Sequence, residues 1–352
     1  MPGSNTRRTV LPDSRPAHAD ARSSPALAAF QTPSFVALVM DLCVCGDLSR
    51  FALEPDCRLD AEAVLFVGIE VVAVMSWLHS KRVLFRDLKA ENVMLDSEGH
   101  VRLIDFGTAV MSDDADSGGP QSSGIAGTAC YWAPEFMAHY LWREAQKTGP
   151  SKETKPGMFG SWAGAAGSGQ PPPYTQSVDW WAVGVLLYEL TEQELPYGLV
   201  PEFVMPTEVG RAEPYRQPTA THGTSELHDF FERVFVYHPS NRLGSAERCG
   251  ADIKAHRIFE GVDWELVEQR RLPSPLTDLL RVSPQGGGSN TEETASKEEA
   301  GIKIAMKMEA KDEVSIQSGQ TDSNTIDGWD YVSPEAITRE YLEQVALCVS
   351  AV

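Results

Sequence analysis

Hydrophobic positions along the chain fall into short runs separated by turn residues, with one long apolar stretch among them. Residues 27–31 and 35–42 are strand-like runs on either side of a Thr-Pro turn. Residues 61–79 are apolar over most of their length, which predicts a long helix. Short β-type runs follow at residues 83–85, 93–95 and 101–104. These elements predict an ordered region from residue 27 to about residue 276.

Polar segments interrupt and flank this region. The first 26 residues have no periodicity and several prolines, so we expect them to be disordered. Residues 145–174 are rich in Gly, Ser, Pro and Lys and predict an exposed insertion, while residues 283–325 predict a mobile tail. An apolar and aromatic island at residues 326–331 follows the tail, and residues 334–349 are at best an amphipathic helix.

Composition and charge narrow the class of protein. The 352 residues include 30 Lys and Arg against 50 Asp and Glu, and 42% are hydrophobic, which excludes wholesale disorder. The acidic balance argues against nucleic acid as a main partner and favours cationic partners. Six cysteines without a C-x-x-C pair favour reduced thiols in the cytoplasm, with the nucleus as the alternative. We expect no membrane span, because Glu62 and Glu70 interrupt the most apolar stretch.

Two polar motifs lie between the short β-type runs. The sequence Phe-Arg-Asp-Leu-Lys-Ala-Glu-Asn at residues 85–92 places an Asp, a Lys and an Asn on one loop. An Asp-Phe-Gly sequence at residues 105–107 places a second carboxylate at the end of a strand. Phosphoryl transfer needs these parts: an Asp to orient the attacking hydroxyl, a Lys to neutralise the moving phosphoryl group, and oxygen ligands for Mg²⁺.

A third motif, Ala133-Pro134-Glu135, follows about thirty residues after the second carboxylate. In this order and spacing the three motifs resemble those of a eukaryotic protein kinase. The resemblance is closer to the AGC group of serine/threonine kinases, because Phe85 is aromatic where most kinases have His. Further segments that match this group are Val178-Asp179-Trp180-Trp181, Asn241-Arg242-Leu243-Gly244 and residues 253–264.

The resemblance implies an α+β, bilobal protein kinase-like fold with a complete, mainly helical large lobe and a fragmentary β small lobe. The kinase domain would span residues 27–276, with residues 27–42 as the remnant of the small lobe and residues 43–276 as the large lobe. Residues 277–352 would form a mostly disordered C-terminal extension of the AGC type.

The resemblance also implies catalytic roles for individual residues. Asp87 would be the catalytic base, supported by Thr128 from the substrate-side loop. Lys89 would steady the γ-phosphoryl group of ATP. Asn92 and Asp105 would be the Mg²⁺ ligands.

For the nucleotide, the resemblance implies contacts around the link between the lobes. Met40 would be the gatekeeper, and the backbone of Asp41 and Cys43 would bond the adenine. Asp47 would reach the ribose, and Met94 would form the floor of the pocket.

The remaining motif residues have structural roles under the resemblance. Glu135 and Arg242 would form a buried ion pair, and loss of one partner would leave a charge unpaired at a cost of several kcal/mol. Asp179 would cap the backbone of the catalytic loop. The other structural residues are Arg86, Phe106 and Gly107.

The sequence departs from the family in its small lobe. A kinase small lobe supplies a glycine-rich loop, a strand Lys and a helix Glu. Here the first Lys is Lys81, the first Glu is Glu54, and Gly3 alone precedes Gly46. Two interpretations follow: a kinase whose N-terminal segment is absent from this sequence, or a truncated pseudokinase that acts as a binding scaffold. The intact motif residues favour the first, and a small-molecule kinase is a weaker third.

The activation segment and the tail depart as well. Gly124 occupies the usual phosphothreonine position, with Ser122 and Ser123 beside it, so we expect weak or absent dependence on phosphorylation of this segment. Residues 326–331 resemble the hydrophobic motif of AGC tails, with Ile326 for the first aromatic residue and Asp330 at the phosphosite. Docking of this motif in trans is one expectation for it.

The expected partners are protein substrates with basic residues near the target Ser or Thr, together with ATP and Mg²⁺. Asp47 and Glu91 match positions at which basophilic members of the family hold Arg residues upstream of the target. Carboxylate–guanidinium pairing supplies the physical reason. We therefore expect a preference for Arg at −3 or −2.

Overall fold

The computed structural model describes residues 26–31, 36–112, 120–148, 172–198, 215–216, 218, 224–245, 250–277 and 331–332. They divide into two compact units. The first contains the described residues from Cys45 to 277, and the second contains residues 26–31, 36–44 and 331–332. Several sequence predictions, on residues 1–25, 283–325, 326–330 and 334–349, lie outside the described residues.

The described secondary structure is numbered in chain order. The strands are β1 Ala26–Gln31, β2 Val36–Met40, β3 Val83–Leu84, β4 Val93–Leu95, β5 Val101–Leu103, β6 Val110–Met111, β7 Gln121–Ser122, β8 Tyr174–Thr175 and β9 Tyr331–Val332. The helices are α1 Ser49–Leu53, α2 Ala61–Ser80, α3 Pro134–Thr148, α4 Ser177–Glu192, α5 Ser225–Val234, α6 Ala251–Lys254 and α7 Trp264–Glu268.

The second unit contains one antiparallel sheet with the order β2-β1-β9. Strand β1 pairs with β2 from Gln31 opposite Val36 to Ala26 opposite Met40. On its other edge, β1 pairs with the tail strand β9, with Ala29 opposite Tyr331. Tyr331 is the last residue of the segment that resembles the hydrophobic motif, so this end of the segment pairs with β1 of the same chain. Docking of the segment in trans stays a prediction.

The core of the first unit is built around α2 and α4. Both helices are apolar on all sides and buried over most of their length. They pack closely where Gly68 faces Leu187, since a Cβ on Gly68 would lie 3.2 Å from a Leu187 methyl carbon. By length and composition α2 is the one described helix that could cross a membrane, but 78% of its apolar window is buried inside the protein. Such burial is typical of a core helix.

Short polar side chains cap the first turns of α2 and α5. Asp60 caps α2 by accepting a hydrogen bond from the Ala63 amide at 2.9 Å. Thr224 caps α5 through the Leu227 amide at 3.2 Å. At the other end of α4, Gln193 adopts a left-handed conformation with φ 57°, which stops the helix.

Two buried acid–imidazole pairs tie α2 to its neighbours. Glu70 lies 2.8 Å from the His100 ring nitrogen and also accepts the Val101 amide at 2.7 Å, which fixes β5 against α2. His79 lies 2.8 Å from Asp179 of α4. These contacts satisfy polar groups inside the core and position the loops that follow β3 and β5.

The fold class inferred from the sequence is confirmed: a mainly helical large unit accompanies a small β unit. The predicted helix at 61–79 is α2, and the predicted runs at 83–85, 93–95 and 101–104 contain β3, β4 and β5. The ends of the predicted 145–174 insertion are ordered, because α3 continues through Thr148 and Tyr174 begins β8. Residues 149–171 lie outside the described part of the chain.

Candidate active site

The loop between β3 and β4 carries the first polar motif, and α4 holds it in place. Both carboxylate oxygens of Asp179 accept backbone bonds, from the Phe85 amide at 3.0 Å and the Arg86 amide at 2.8 Å. Arg86 has φ 69°, a left-handed conformation that is costly for a residue with a Cβ. The two bonds to Asp179 stabilise this turn, which places Asp87 immediately after it.

Asp87 lies at the centre of a polar network. Its Oδ1 accepts a hydrogen bond from the Thr128 hydroxyl at 2.8 Å, and the Lys89 ammonium donates to the same hydroxyl oxygen at 3.0 Å. Lys89 also lies 3.7 Å from Asp87 Oδ2. The amide nitrogen of Asn92 donates to the Asp87 backbone carbonyl at 2.8 Å. A carboxylate and a cation from one loop therefore meet the hydroxyl of Thr128, 41 positions after Asp87, while the Asn92 amide bonds to Asp87 itself.

Asp105 follows β5 in a strained conformation of its own. It has φ 59°, and its side chain accepts the Gly107 amide at 3.1 Å. The residue before it, Ile104, donates its amide to the Asn92 carbonyl at 3.0 Å, so the two metal-ligand candidates come from neighbouring backbone segments. The Phe106 ring lies 5.2 Å from the Phe85 ring in an edge-on contact, which anchors the segment.

The donor set suits Mg²⁺ rather than a metal held by protein side chains alone. Within the described residues no three His, Cys, Asp or Glu side chains form a metal-binding group. Because the nitrogen of Asn92 already donates to Asp87, its amide oxygen is the atom left to coordinate. Mg²⁺ is commonly bound by one or two protein oxygens together with substrate phosphates. Asn92 and Asp105 fit that pattern.

Gly127 brings the substrate-side loop against the catalytic loop. It has φ 76°, and a Cβ there would lie 2.2 Å from the Arg86 carbonyl oxygen and 3.2 Å from Asp87 Oδ1. Only glycine allows this approach. The sequence interpretation named Gly127 together with Thr128 as part of the substrate-side loop, but it did not predict this close approach to the catalytic loop.

The carboxylate of Glu189 on α4 lies behind the loop between β3 and β4, to which Tyr131 links it. The sequence analysis did not identify this residue. The Tyr131 hydroxyl donates to it and accepts the Ala90 amide at 3.3 Å. Burial raises the pKa of the Glu189 carboxyl, and the nearby charge of Glu91 raises it further. Burial and then the Glu189 charge raise the pKa of Tyr131 well above its usual value. Glu189 is the one charged residue among residues 180–190 of α4, and this was the available signal.

The Glu135 and Arg242 side chains form a bidentate pair. The two oxygens of Glu135 lie 2.6 Å and 2.9 Å from the two terminal nitrogens of Arg242. The guanidinium also lies 4.9 Å from the Trp181 ring centroid. This pair anchors the start of α3, which follows the substrate-side loop.

The candidate nucleotide contacts fall in both units. Asp47 and Met94 are adjacent in the first unit, joined by an isolated antiparallel β-bridge. The Asp47 carboxylate accepts the Ser49 amide at 2.8 Å. Met40 ends β2 in the second unit, with Asp41 and Cys43 following it. Their contacts with adenine stay predictions.

Comparison with known proteins agrees with this geometry. Residues 25–152 match the family model described as "Protein kinase domain". The mouse cAMP-dependent protein kinase catalytic subunit PRKX is 30% identical over 264 residues, which are 73% of this chain and 60% of that protein. Human protein kinase C delta type is 29% identical over 252 residues, and the Drosophila melanogaster protein kinase C eye isozyme is 25% identical over 309 residues. The chain spans 31% and 37% of the length of these two relatives.

Proposed function

Because this chain carries a protein kinase domain related to the AGC serine/threonine kinases, we propose that it transfers the γ-phosphoryl group of ATP to Ser or Thr residues of proteins. The observation that carries the proposal is the network that joins Asp87, Lys89 and Thr128. Such a network has the parts that positioning and charge stabilisation of a phosphoryl group require.

In the proposed reaction, Asp87 accepts the proton of the substrate hydroxyl as that oxygen bonds to the γ-phosphorus and the bond to the ADP oxygen breaks. Lys89 would neutralise charge on the transferred group, and Thr128, which donates a hydrogen bond to Asp87 Oδ1, would fix the orientation of the Asp87 carboxylate. Asn92 and Asp105 would hold Mg²⁺, which when bound neutralises phosphate charge. Removal of Asp87 therefore removes the proton acceptor while leaving the metal ligands in place.

The proposed substrates have Arg at −3 or −2. Asp47 and Glu91, the two carboxylates that the sequence predicted for this role, support the proposal. A guanidinium that bonds a carboxylate gains a charge-assisted hydrogen bond, whereas a neutral side chain leaves the carboxylate unpaired.

The test is phosphate incorporation from ATP by the purified full chain, on peptides that have Arg or Ala at −3 and −2. We expect Mg²⁺-dependent incorporation that is lost in Asp87→Asn. Glu91→Gln should reduce the discrimination between Arg and Ala peptides by about tenfold, the equivalent of one hydrogen bond to a charged group. Equal incorporation by the wild type and Asp87→Asn would contradict the assignment of kinase activity.

The sequence has no glycine-rich loop, strand Lys or helix Glu before Gly46, and these parts bind nucleotide in the family. Nucleotide binding therefore needs a test of its own. Nucleotide binding is measured separately, by titration of ATP with and without Mg²⁺. A chain that binds neither ATP nor its Mg²⁺ complex, and that transfers no phosphate, would refute the proposal.

A further inference from the structure

Arg86 holds together three segments that are distant in sequence. Its Nε donates to the Thr108 carbonyl at 2.7 Å, just after the Asp-Phe-Gly motif. Its Nη1 donates to the Tyr174 hydroxyl at 3.0 Å and lies 3.3 Å from the Ser122 hydroxyl. Since Arg86 immediately precedes Asp87, whatever fixes this guanidinium also restrains the catalytic loop.

The Tyr174 hydroxyl is held rigidly. The residue is 3% exposed, and its ring lies 4.4 Å from the Phe136 ring and 5.3 Å from the His139 ring. Its backbone belongs to β8, which pairs antiparallel with β7 so that Tyr174 lies opposite Ser122. A hydroxyl fixed by ring packing and strand pairing is an acceptor that needs little ordering when Arg86 bonds to it.

The acceptors around Arg86 are neutral oxygens. Within the described part of the chain Arg86 forms no ion pair with a carboxylate, and its partners are one carbonyl and two hydroxyls. Gly124, the expected phosphothreonine position, has no hydroxyl and has φ 96° with open space around it. A phosphate therefore cannot be attached at that position.

Phosphorylation orders the activation segments of kinases by supplying a phosphate that pairs with an Arg. We propose that Tyr174, with Ser122, satisfies Arg86 in place of such a phosphate, and so keeps residues 120–128 ordered around Thr128 without phosphorylation. Tyr174 is a positioning residue: it acts on Asp87 through Arg86. Its effect on catalysis rests on the proposed kinase function, whereas its effect on the order of residues 120–128 does not.

The test compares full-length proteins that have been treated with phosphatase and shown by mass to carry no phosphate. Tyr174→Phe keeps the ring and removes the hydroxyl, and Tyr140→Phe on α3 is the matched control. Backbone hydrogen exchange is measured for peptides that cover residues 120–128. We expect protection in the wild type, about tenfold faster exchange in Tyr174→Phe, and no change in Tyr140→Phe.

A charge-rescue variant separates positioning from loss of packing. In Tyr174→Phe/Ser122→Asp, a carboxylate opposite Arg86 should restore wild-type exchange, because it supplies a stronger acceptor to the same guanidinium. A merely structural role of the hydroxyl would leave exchange in this double variant as fast as in Tyr174→Phe. That result, or wild-type exchange in Tyr174→Phe itself, would overturn the proposal.

Kinetics give the second readout. We expect kcat of Tyr174→Phe to fall about tenfold, with KM for ATP unchanged, and the added Asp to restore kcat. Rapid exchange of residues 120–128 in the phosphate-free wild type, with protection only after phosphorylation, would also contradict the proposal. If the wild type transfers no phosphate at all, the kinase function fails, and hydrogen exchange still decides the role of Tyr174.

Discussion

Replacement of Arg242 by Met should destabilise the first unit severely. Arg242 is 1% exposed and Glu135 is 3% exposed, and two hydrogen bonds of 2.6 Å and 2.9 Å join them. The guanidinium also donates to the carbonyls of Ser177, Val236 and Tyr237, at 2.9, 3.0 and 3.3 Å. Met keeps an unbranched apolar stem in place of the Arg methylenes, so the main loss is of the guanidinium with its charge and donors.

The magnitude follows from the carboxylate that is left behind. Removal of one partner of a buried pair costs about 3–5 kcal/mol, since the remaining charge has no counter-ion. At about 2–4 °C per kcal/mol for a domain of this size, Tm should fall by about 6–20 °C. The double variant Arg242→Met/Glu135→Leu should recover part of this, because it removes the unpaired carboxylate, but it leaves the backbone carbonyls without donors.

Urea unfolding followed by circular dichroism at neutral pH measures the changes in the free energy of unfolding, and thermal unfolding followed by the same signal measures Tm. The exposed pair of Arg216 and Glu194, whose side chains are 64% and 61% exposed, is the matched control. Arg216→Met should cost less than about 1 kcal/mol. If Arg242→Met costs no more than Arg216→Met, burial is not what gives the pair its importance, and the reasoning is refuted.

Three further changes test the site and its surroundings. Gly127→Ala places a Cβ against the Arg86 carbonyl, which should displace the loop that carries Asp87 and lower kcat about a hundredfold. A loss of less than twofold in steady-state kinetics would contradict this. Asp105→Asn should abolish the gain in nucleotide affinity that Mg²⁺ confers, and calorimetric titration that shows an unchanged gain would exclude Asp105 as a ligand. Burial in the folded state raises the pKa of Glu189 above its ordinary value of 4.5, so the folded state binds this proton more tightly than the unfolded state. The stability that proton binding contributes is therefore lost as pH rises through the raised pKa. Glu189→Gln keeps an acceptor for Tyr131 and does not titrate, so its stability relative to wild type should increase with pH. If the urea midpoints of the two proteins change in parallel across pH 4–8, the pKa of Glu189 is not raised.

Local patterns predicted the parts of the fold that depend on neighbouring residues. The apolar run of α2 and the short β-type runs that form β4 and β5 follow from the hydrophobic pattern of neighbouring residues. Helix α1 has five residues, too few for a period to be recognised. Helix α3 was not predicted as a helix, because its first residues belong to the Ala-Pro-Glu motif and its end merges with a polar segment.

The motif residues of the site were found by spacing, whereas their partners were not. Asp87 and Asn92 share one loop, so their order along the chain carries the signal. The contact of Arg86 with Tyr174 spans 88 positions, and residues 149–171 lie between them. Such a contact depends on how distant parts of the chain fold together, and patterns of neighbouring residues do not predict it.

The close packing of α2 on α4 has a consequence for biosynthesis. Helix α2 is complete at Ser80, but the helix that covers it starts at Ser177, almost a hundred residues later. At ribosomal rates of about 5–20 residues per second, the apolar surface of α2 stays uncovered for about 5–20 seconds after it emerges. During that interval α2 offers chaperones and membrane-targeting factors a segment that matches a membrane span in length and composition. Cellular yield should therefore depend on chaperone capacity more strongly than the stability of the finished protein suggests.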